Sequence, residues 1–183
     1  MNNQAAVQSN IEFKRHTLSN GLELVAECNP DAVSTGLAFF VRTGARDESI
    51  ELSGVSHFLE HMCFKGTPTR SAEDVNRELD EMGSQSNAFT SQEQTVYFCS
   101  VLPEHQLSAL NLLSDIMRPT LRQSDFDTEK QVILEEIAKY DDQPPYGGHD
   151  AALVKHFKSH PLGNSVLGTA ESVSALTQPQ MLE

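Results

Sequence analysis

Residues 54–67 read GVSHFLEHMCFKGT. Three titratable groups, His57, Glu60 and His61, sit there among Val55, Phe58, Leu59 and Met62. The stretch reads as a helix with Ser53 as its N-cap. On a helix His57 and His61 stand at i and i+4, so their side chains point the same way, one turn apart. That spacing suits two imidazoles converging on one metal ion. Zinc takes His and carboxylate ligands at about 2.0–2.2 Å, and a catalytic site keeps one position open for water. Glu60 lies beside His61 and one turn from His57. It can reach a metal-activated water without being a ligand and serve as general base. The bland reading is a pair of core histidines with a carboxylate partner. Either way, three polar groups on an apolar helix need partners or a metal, since leaving them buried and unpaired costs about 2 kcal/mol or more.

A third ligand has to come from elsewhere. The run SDFDTEKQVILEEIAKYDD, residues 124–142, reads as a long helix with a capping box at Ser124 and Asp127. It offers Glu129, Glu135 and Glu136. At about 100° per residue, with Glu129 at zero, Phe126, Ile133 and Ile137 fall near +60°, +40° and +80°, and Val132 near −60°. Glu136 lands near −20°, inside this apolar arc, and Glu135 near −120°, outside it. Two carboxylates on the inward face of one helix repel each other unless a cation is nearby.

Outward from these two helices, the chain alternates. Residues 11–27 read as two short strands around an Asn20–Gly21 turn. Residues 33–46 read as a buried strand ending at Gly44. Residues 71–83 form a helix with a capping box at Ser71 and Asp74 and a stop at Gly83. SNAFTSQEQTVYFCSVL, residues 86–102, reads as strand. Residues 103–117 form an amphipathic helix opening with Pro103. QPPYGG breaks the long helix, residues 149–160 form a further one, and residues 161–173 read as a loop. Thr177 with Pro179 looks like the start of another helix. The pattern predicts an α+β fold, a mostly antiparallel sheet with helices packed on one face.

The 183 residues suffice for one domain with a real core, and a net charge of −13 argues against a nucleic-acid footprint and against an anionic membrane surface. No apolar run approaches the ~20 residues that span a bilayer. MNNQAAVQSN, residues 1–10, resembles neither a secretory signal nor an organelle presequence, so a short disordered leader and a cytoplasmic location are expected. Three widely spaced cysteines, Cys28, Cys63 and Cys99, suggest buried thiols, with no disulfide framework or CxxC zinc site. Cys63 falls on another helix face than His61 and is a poor metal ligand.

Taken together, HFLEHMCFKGT, NAFTSQEQTVYF and VILEEI resemble the pitrilysin and mitochondrial processing peptidase family of zinc metallopeptidases, in which HxxEH reverses the usual HExxH order. The resemblance implies a zinc-dependent endopeptidase domain with one Zn2+ per chain. It makes His57, His61 and Glu136 the metal ligands, Glu60 the general base, and Glu129 a supporting residue that does not bind metal. It makes the NAFTS segment an edge strand that pairs with extended peptide or unfolded protein, with Asn87, Ala88 and Phe89 as substrate contacts. It also implies a second, related half that closes over the substrate, in the parent chain or a partner subunit, with a homodimer as one arrangement. Residues 11–183 would then be a single N-terminal zinc-binding domain, weakly active or inactive alone. The alternative is a non-catalytic or structural zinc-binding subunit of the same fold.

Overall fold

The computed structural model describes residues 11–182, without the side chains of 144–146, so the leader expected over residues 1–10 lies outside the described residues. Strands β1 (Glu12–Thr17) and β2 (Glu23–Cys28) pair antiparallel. Their connection turns at Gly21, which takes φ +87°, and Asn20 Oδ1 accepts the Leu22 amide at 3.1 Å. Strand β3 (Thr35–Val41) pairs with β5 (Thr95–Val101), and β5 with β4 (Gln85–Thr90), all antiparallel. The order β3-β5-β4 leaves β4 at an edge. The antiparallel architecture is as predicted, divided between two sheets.

The single strand predicted over residues 86–102 is instead the β4–β5 hairpin. Its reversal uses neither Gly nor Pro. The Ser91 amide donates to the Gln94 carbonyl at 2.8 Å, and the Ser91 hydroxyl accepts the Gln94 amide at 3.2 Å. A serine side chain thereby supplies the local hydrogen bond that the turn needs.

Period-two alternation sorts the three-stranded sheet into faces. Tyr97, Cys99 and Val101 pack with Val75 and Leu79 of α2 (Ala72–Glu81) and with Leu112, Leu113 and Ile116 of α3 (Gln106–Ile116). The other face leaves Phe40 and Phe89 exposed, so the helices cover one side. A second cluster joins Phe58 and Met62 of α1 (Val55–Cys63) to Phe126, Ile133 and Ile137 of α4 (Gln123–Asp142) and Val173 of α6 (Ala170–Ala175). Phe58 stacks on Phe126 with 4.7 Å between ring centroids and 9° between planes. A nine-residue helix such as α1 is marginal alone. Burying Phe58 and Met62, at about 1.5–3 kcal/mol each, holds it in place.

Helix boundaries depart from the sequence reading in instructive ways. The N-cap of α1 is Gly54, at φ +93°, instead of Ser53. The acceptor a serine cap would supply comes from Glu48, whose carboxylate takes the Gly54 and Ser56 amides at 2.7 Å each. α4 starts at Gln123 with Arg122 as its cap, and the box expected at Ser124 and Asp127 is absent. Arg122 Nε instead donates to Asp125 at 2.7 Å. The break after α4 is one residue, Gln143, before α5 (Pro144–Phe157) begins with proline where no amide donor is needed. The loop predicted over 161–173 carries the start of α6, capped by Thr169 and Ser172. The helix start expected at Thr177 is a 3-10 turn, Gln178–Met181. Among the described residues no helix is long and apolar enough to cross a membrane.

Gly54 and Gly168 touch. A Cβ on Gly54 would lie 2.7 Å from the Leu167 carbonyl oxygen, and one on Gly168 would lie 2.5 Å from the Ser53 carbonyl oxygen. Gly54→Ala therefore combines a left-handed backbone with a backbone collision. A loss of more than about 2 kcal/mol is expected, read as a lowered urea midpoint. A midpoint within error of the unsubstituted chain would mean that the contact is not rigid.

Candidate metal centre

α1 and α4 cross so that the inward groups meet. His57 Nε2 and His61 Nε2 are 3.2 Å apart, and Glu136 Oε2 lies 3.8 Å from the first and 3.7 Å from the second. Among the described residues, these three form the group whose ligand atoms all lie within 4.8 Å of one another. Ligands at about 2.0–2.2 Å from a tetrahedral zinc stand roughly 3.4 Å apart, so the triangle has the edges of a zinc ligand set.

The protonation pattern fits a cation as well. Glu129 Oε1 faces His61 Nδ1 at 2.8 Å, and an ionised carboxylate only accepts. In the neutral ring the proton therefore sits on Nδ1 and the Nε2 lone pair points at the triangle. Glu136 points another acceptor at the same place. His57 Nδ1 is buried with no hydrogen-bond partner among the described residues. A metal on His57 Nε2 would leave that nitrogen as the protonated one.

Glu129 is only 4% exposed. Lys65 Nζ holds its other oxygen at 2.6 Å, and Arg122 holds the Lys65 carbonyl at 2.6 Å. Burial works to raise the Glu129 pKa, but the bonds from His61 and Lys65 outweigh it and hold the carboxyl below its ordinary value. Burial also opposes charge on His61, yet Glu129, with Glu136 and Glu60 behind it, raises the ring's pKa. His57 is pushed down to about 4, first by burial and then by His61.

Glu60 stands outside the ligand group. Its Oε2 accepts the Thr90 hydroxyl at 2.5 Å. Burial raises its pKa, the Thr90 contacts and the charge on His61 pull against that, and Glu136 adds to it. A carboxylate held this way takes up a proton more readily than one in water.

Glu135 is exposed, Glu129 buried and Glu136 half-buried, as the helix-face arithmetic predicts. Val132, counted in the inward arc, is exposed. Cys63 faces away from the triangle, its thiol donating to Tyr97 Oη at 3.4 Å. Asn87, Ala88 and Phe89 lie on the edge strand, with Asn87 Oδ1 accepting the Ala88 amide at 2.9 Å. The sequence reading missed two residues, Lys65 and Thr90. Lys65 follows His57 and His61 at the same spacing of four. Thr90 alternates onto the helix-covered face with Ala88.

The two histidines give the metal-free chain a pH signature. An unfolded imidazole protonates near pH 6.5. Folded His57 does so near 4, so between these values the unfolded chain holds more protons. Stability therefore falls as pH drops through that window. His61 has the opposite sign, its contribution being complete below 6.5 and lost as pH rises through its raised folded value. The urea midpoint of the metal-free chain is expected to be lower at pH 5 than at pH 6.5. Equal midpoints would mean that His57 is solvated.

The family profile described as Insulinase (Peptidase family M16) matches residues 23–170. A Bacillus subtilis protein described as an uncharacterized zinc protease, YmxG, is 42% identical over 164 residues, covering 89% of this chain and 40% of its own length. A Helicobacter pylori protease of known structure superposes with a TM-score of 0.88 at 25% identity, over 93% of this chain and 42% of that one. A peptidase M16 inactive domain from Pseudomonas fluorescens shares the fold, with a TM-score of 0.84 at 14% identity over 93% of this chain and 42% of that one. The chain spans about two-fifths of the length of these relatives. The extent of the profile match, together with the HxxEH helix, shows that the chain belongs to the insulinase family of peptidases.

Proposed function

We propose that this chain is the metal-bearing domain of a zinc-dependent endopeptidase that hydrolyses peptide bonds in extended segments. One observation carries the reading: His57, His61 and Glu136 converge at zinc-ligand spacing, with an unligating carboxylate, Glu60, beside them. Bound there, zinc would polarise the scissile carbonyl and bring the pKa of a water molecule toward neutrality. Glu60 accepts the proton that the attacking water loses and returns it to the leaving amine. Glu129 and Lys65 keep His61 in the tautomer and orientation that a metal needs. A structural zinc site is usually closed by four protein ligands, often cysteines. Among the described residues three groups converge here and Cys63 points elsewhere, which favours the catalytic reading.

The edge strand supports a peptide-binding role. The Ser91–Gln94 hydrogen bond sets the phase of the β4–β5 ladder, so Thr90, Ala88 and Ser86 direct amides and carbonyls away from β5. Asn87 Oδ1 already meets one of these, the Ala88 amide. An extended substrate pairs with this edge, displacing the Asn87 side chain and running past Phe89. Residues 11–183 act as one domain, and a second, related half closes over the substrate from the parent chain or a partner subunit. Alone, this chain binds zinc and turns substrate over weakly or not at all.

The test is metal removal. The full-length parent protein is expected to contain one zinc per site, to lose hydrolysis of an unfolded protein substrate on chelation, and to regain it with zinc. Hydrolysis indifferent to chelation would overturn the proposal.

A further inference from the structure

Thr90 ends strand β4 and serves the site with two different parts of itself. Its hydroxyl is 2.5 Å from Glu60 Oε2. The acceptor there is a carboxylate, so the hydroxyl is the donor. Behind it stands Thr95, 5% exposed, whose Oγ1 lies 3.5 Å from Thr90 Oγ1. The Thr95 proton has its own acceptor, the Thr43 carbonyl at 3.0 Å. Thr90 thus has one proton to give, and Glu60 receives it. The backbone of the same residue belongs to a pair of the ladder whose polar groups face away from β5, toward the open edge, and there it too bonds to Glu60.

We propose that Thr90 is a positioning residue for the general base, and that it links occupancy of the edge strand to the orientation of Glu60. The proposal rests on the peptidase reading for its consequence and on the Thr90–Glu60 contact for its substance. A peptide that pairs with β4 fixes the Thr90 backbone. The Thr90 hydroxyl then holds one Glu60 oxygen, leaving the other free to take the proton from water. The contact is already made with the edge open, so a docked peptide would hold the base in the alignment that the strand sets, which favours substrates that have docked in extended form. A purely structural threonine would behave differently, because valine has the same shape and an equal liking for strands.

The experiment uses the full-length parent protein with Thr90→Val and Thr90→Ser. Zinc content is expected to stay at the unsubstituted level in both. Thr90→Val is expected to lower kcat about tenfold, a fraction of what a general base supplies, with KM changed less than about twofold. Thr90→Ser keeps the hydroxyl and is expected to keep kcat within about twofold. Thr90→Ala repeats the loss without the branched side chain, should the valine variant fold poorly. A second readout needs neither metal nor activity. In the metal-free protein, Thr90→Val is expected to lower the urea midpoint, and to lower it clearly less in a Glu60→Ala background. Full kcat in Thr90→Val, loss of zinc from it, or an equal midpoint shift in both backgrounds would overturn the proposal. Absence of zinc-dependent hydrolysis in the unsubstituted protein would sink the peptidase reading instead, leaving the midpoint comparison to decide the Thr90–Glu60 link.

Discussion

Replacing Glu60 with Gln is expected to leave zinc bound and to lower peptide hydrolysis by the full-length protein about 10²–10⁴-fold. Glutamine has the same length, and its carbonyl oxygen can still accept the Thr90 hydroxyl that now meets Glu60. The packing of α1 against α4 is therefore untouched. An amide cannot take the proton that the attacking water gives up, and on the proposed reading that is the function removed. Metal analysis and kcat measured on the same preparation check both halves of the expectation. If zinc disappears along with activity, Glu60 is a ligand and its assignment as base fails.

The second large effect is Glu136→Gln, with Glu135→Gln as its neighbour and control. Glu136 is the one carboxylate in the converging triad, while Glu135 is exposed. An anionic oxygen both neutralises part of the metal charge and completes the ligand count, and an amide does neither well. Loss of supporting residues around a metal typically costs 10–100-fold in affinity, so loss of a ligand should cost more than about 100-fold. Competition with a chelator of known affinity reads this directly. Glu135→Gln is expected to leave affinity unchanged. The reverse pattern would mean that α4 is rotated relative to the structure described above.

The inward placement of His57, His61, Glu129 and Glu136 was legible because it follows from helical geometry within single elements. The i, i+4 spacing of His57 and His61 and the angles of Glu129, Glu135 and Glu136 needed no knowledge of what packs where. Val132 escaped this logic because hydrophobicity says which residues prefer the interior, while only the neighbouring elements decide how wide the covered arc is. The cap of α1 was illegible for a similar reason. Ser53 has the right chemistry locally, but Glu48, five residues earlier, reaches the free amides first. The β4–β5 reversal hid because Ser91 turns the chain by side-chain hydrogen bonds, without the Asn-Gly or Gly-Pro signals that mark most hairpins. Thr90 and Lys65 were beyond reach because each acts through a partner on another element, Glu60 on α1 and Glu129 on α4.

The touching glycines carry one more consequence, for how the molecule is made. The HFLEH helix leaves the ribosome complete by residue 63, with His57, Glu60 and His61 in hand. Its first turn nonetheless needs Gly168 against it, and Ser172 must donate to the Ser53 carbonyl at 2.8 Å. A nascent chain halted after Glu136 would own all three converging residues and still lack Gly168 and Ser172, which pack against the start of α1. On the proposed reading, vectorial synthesis is expected to postpone a finished metal centre until the segment around α6 has emerged.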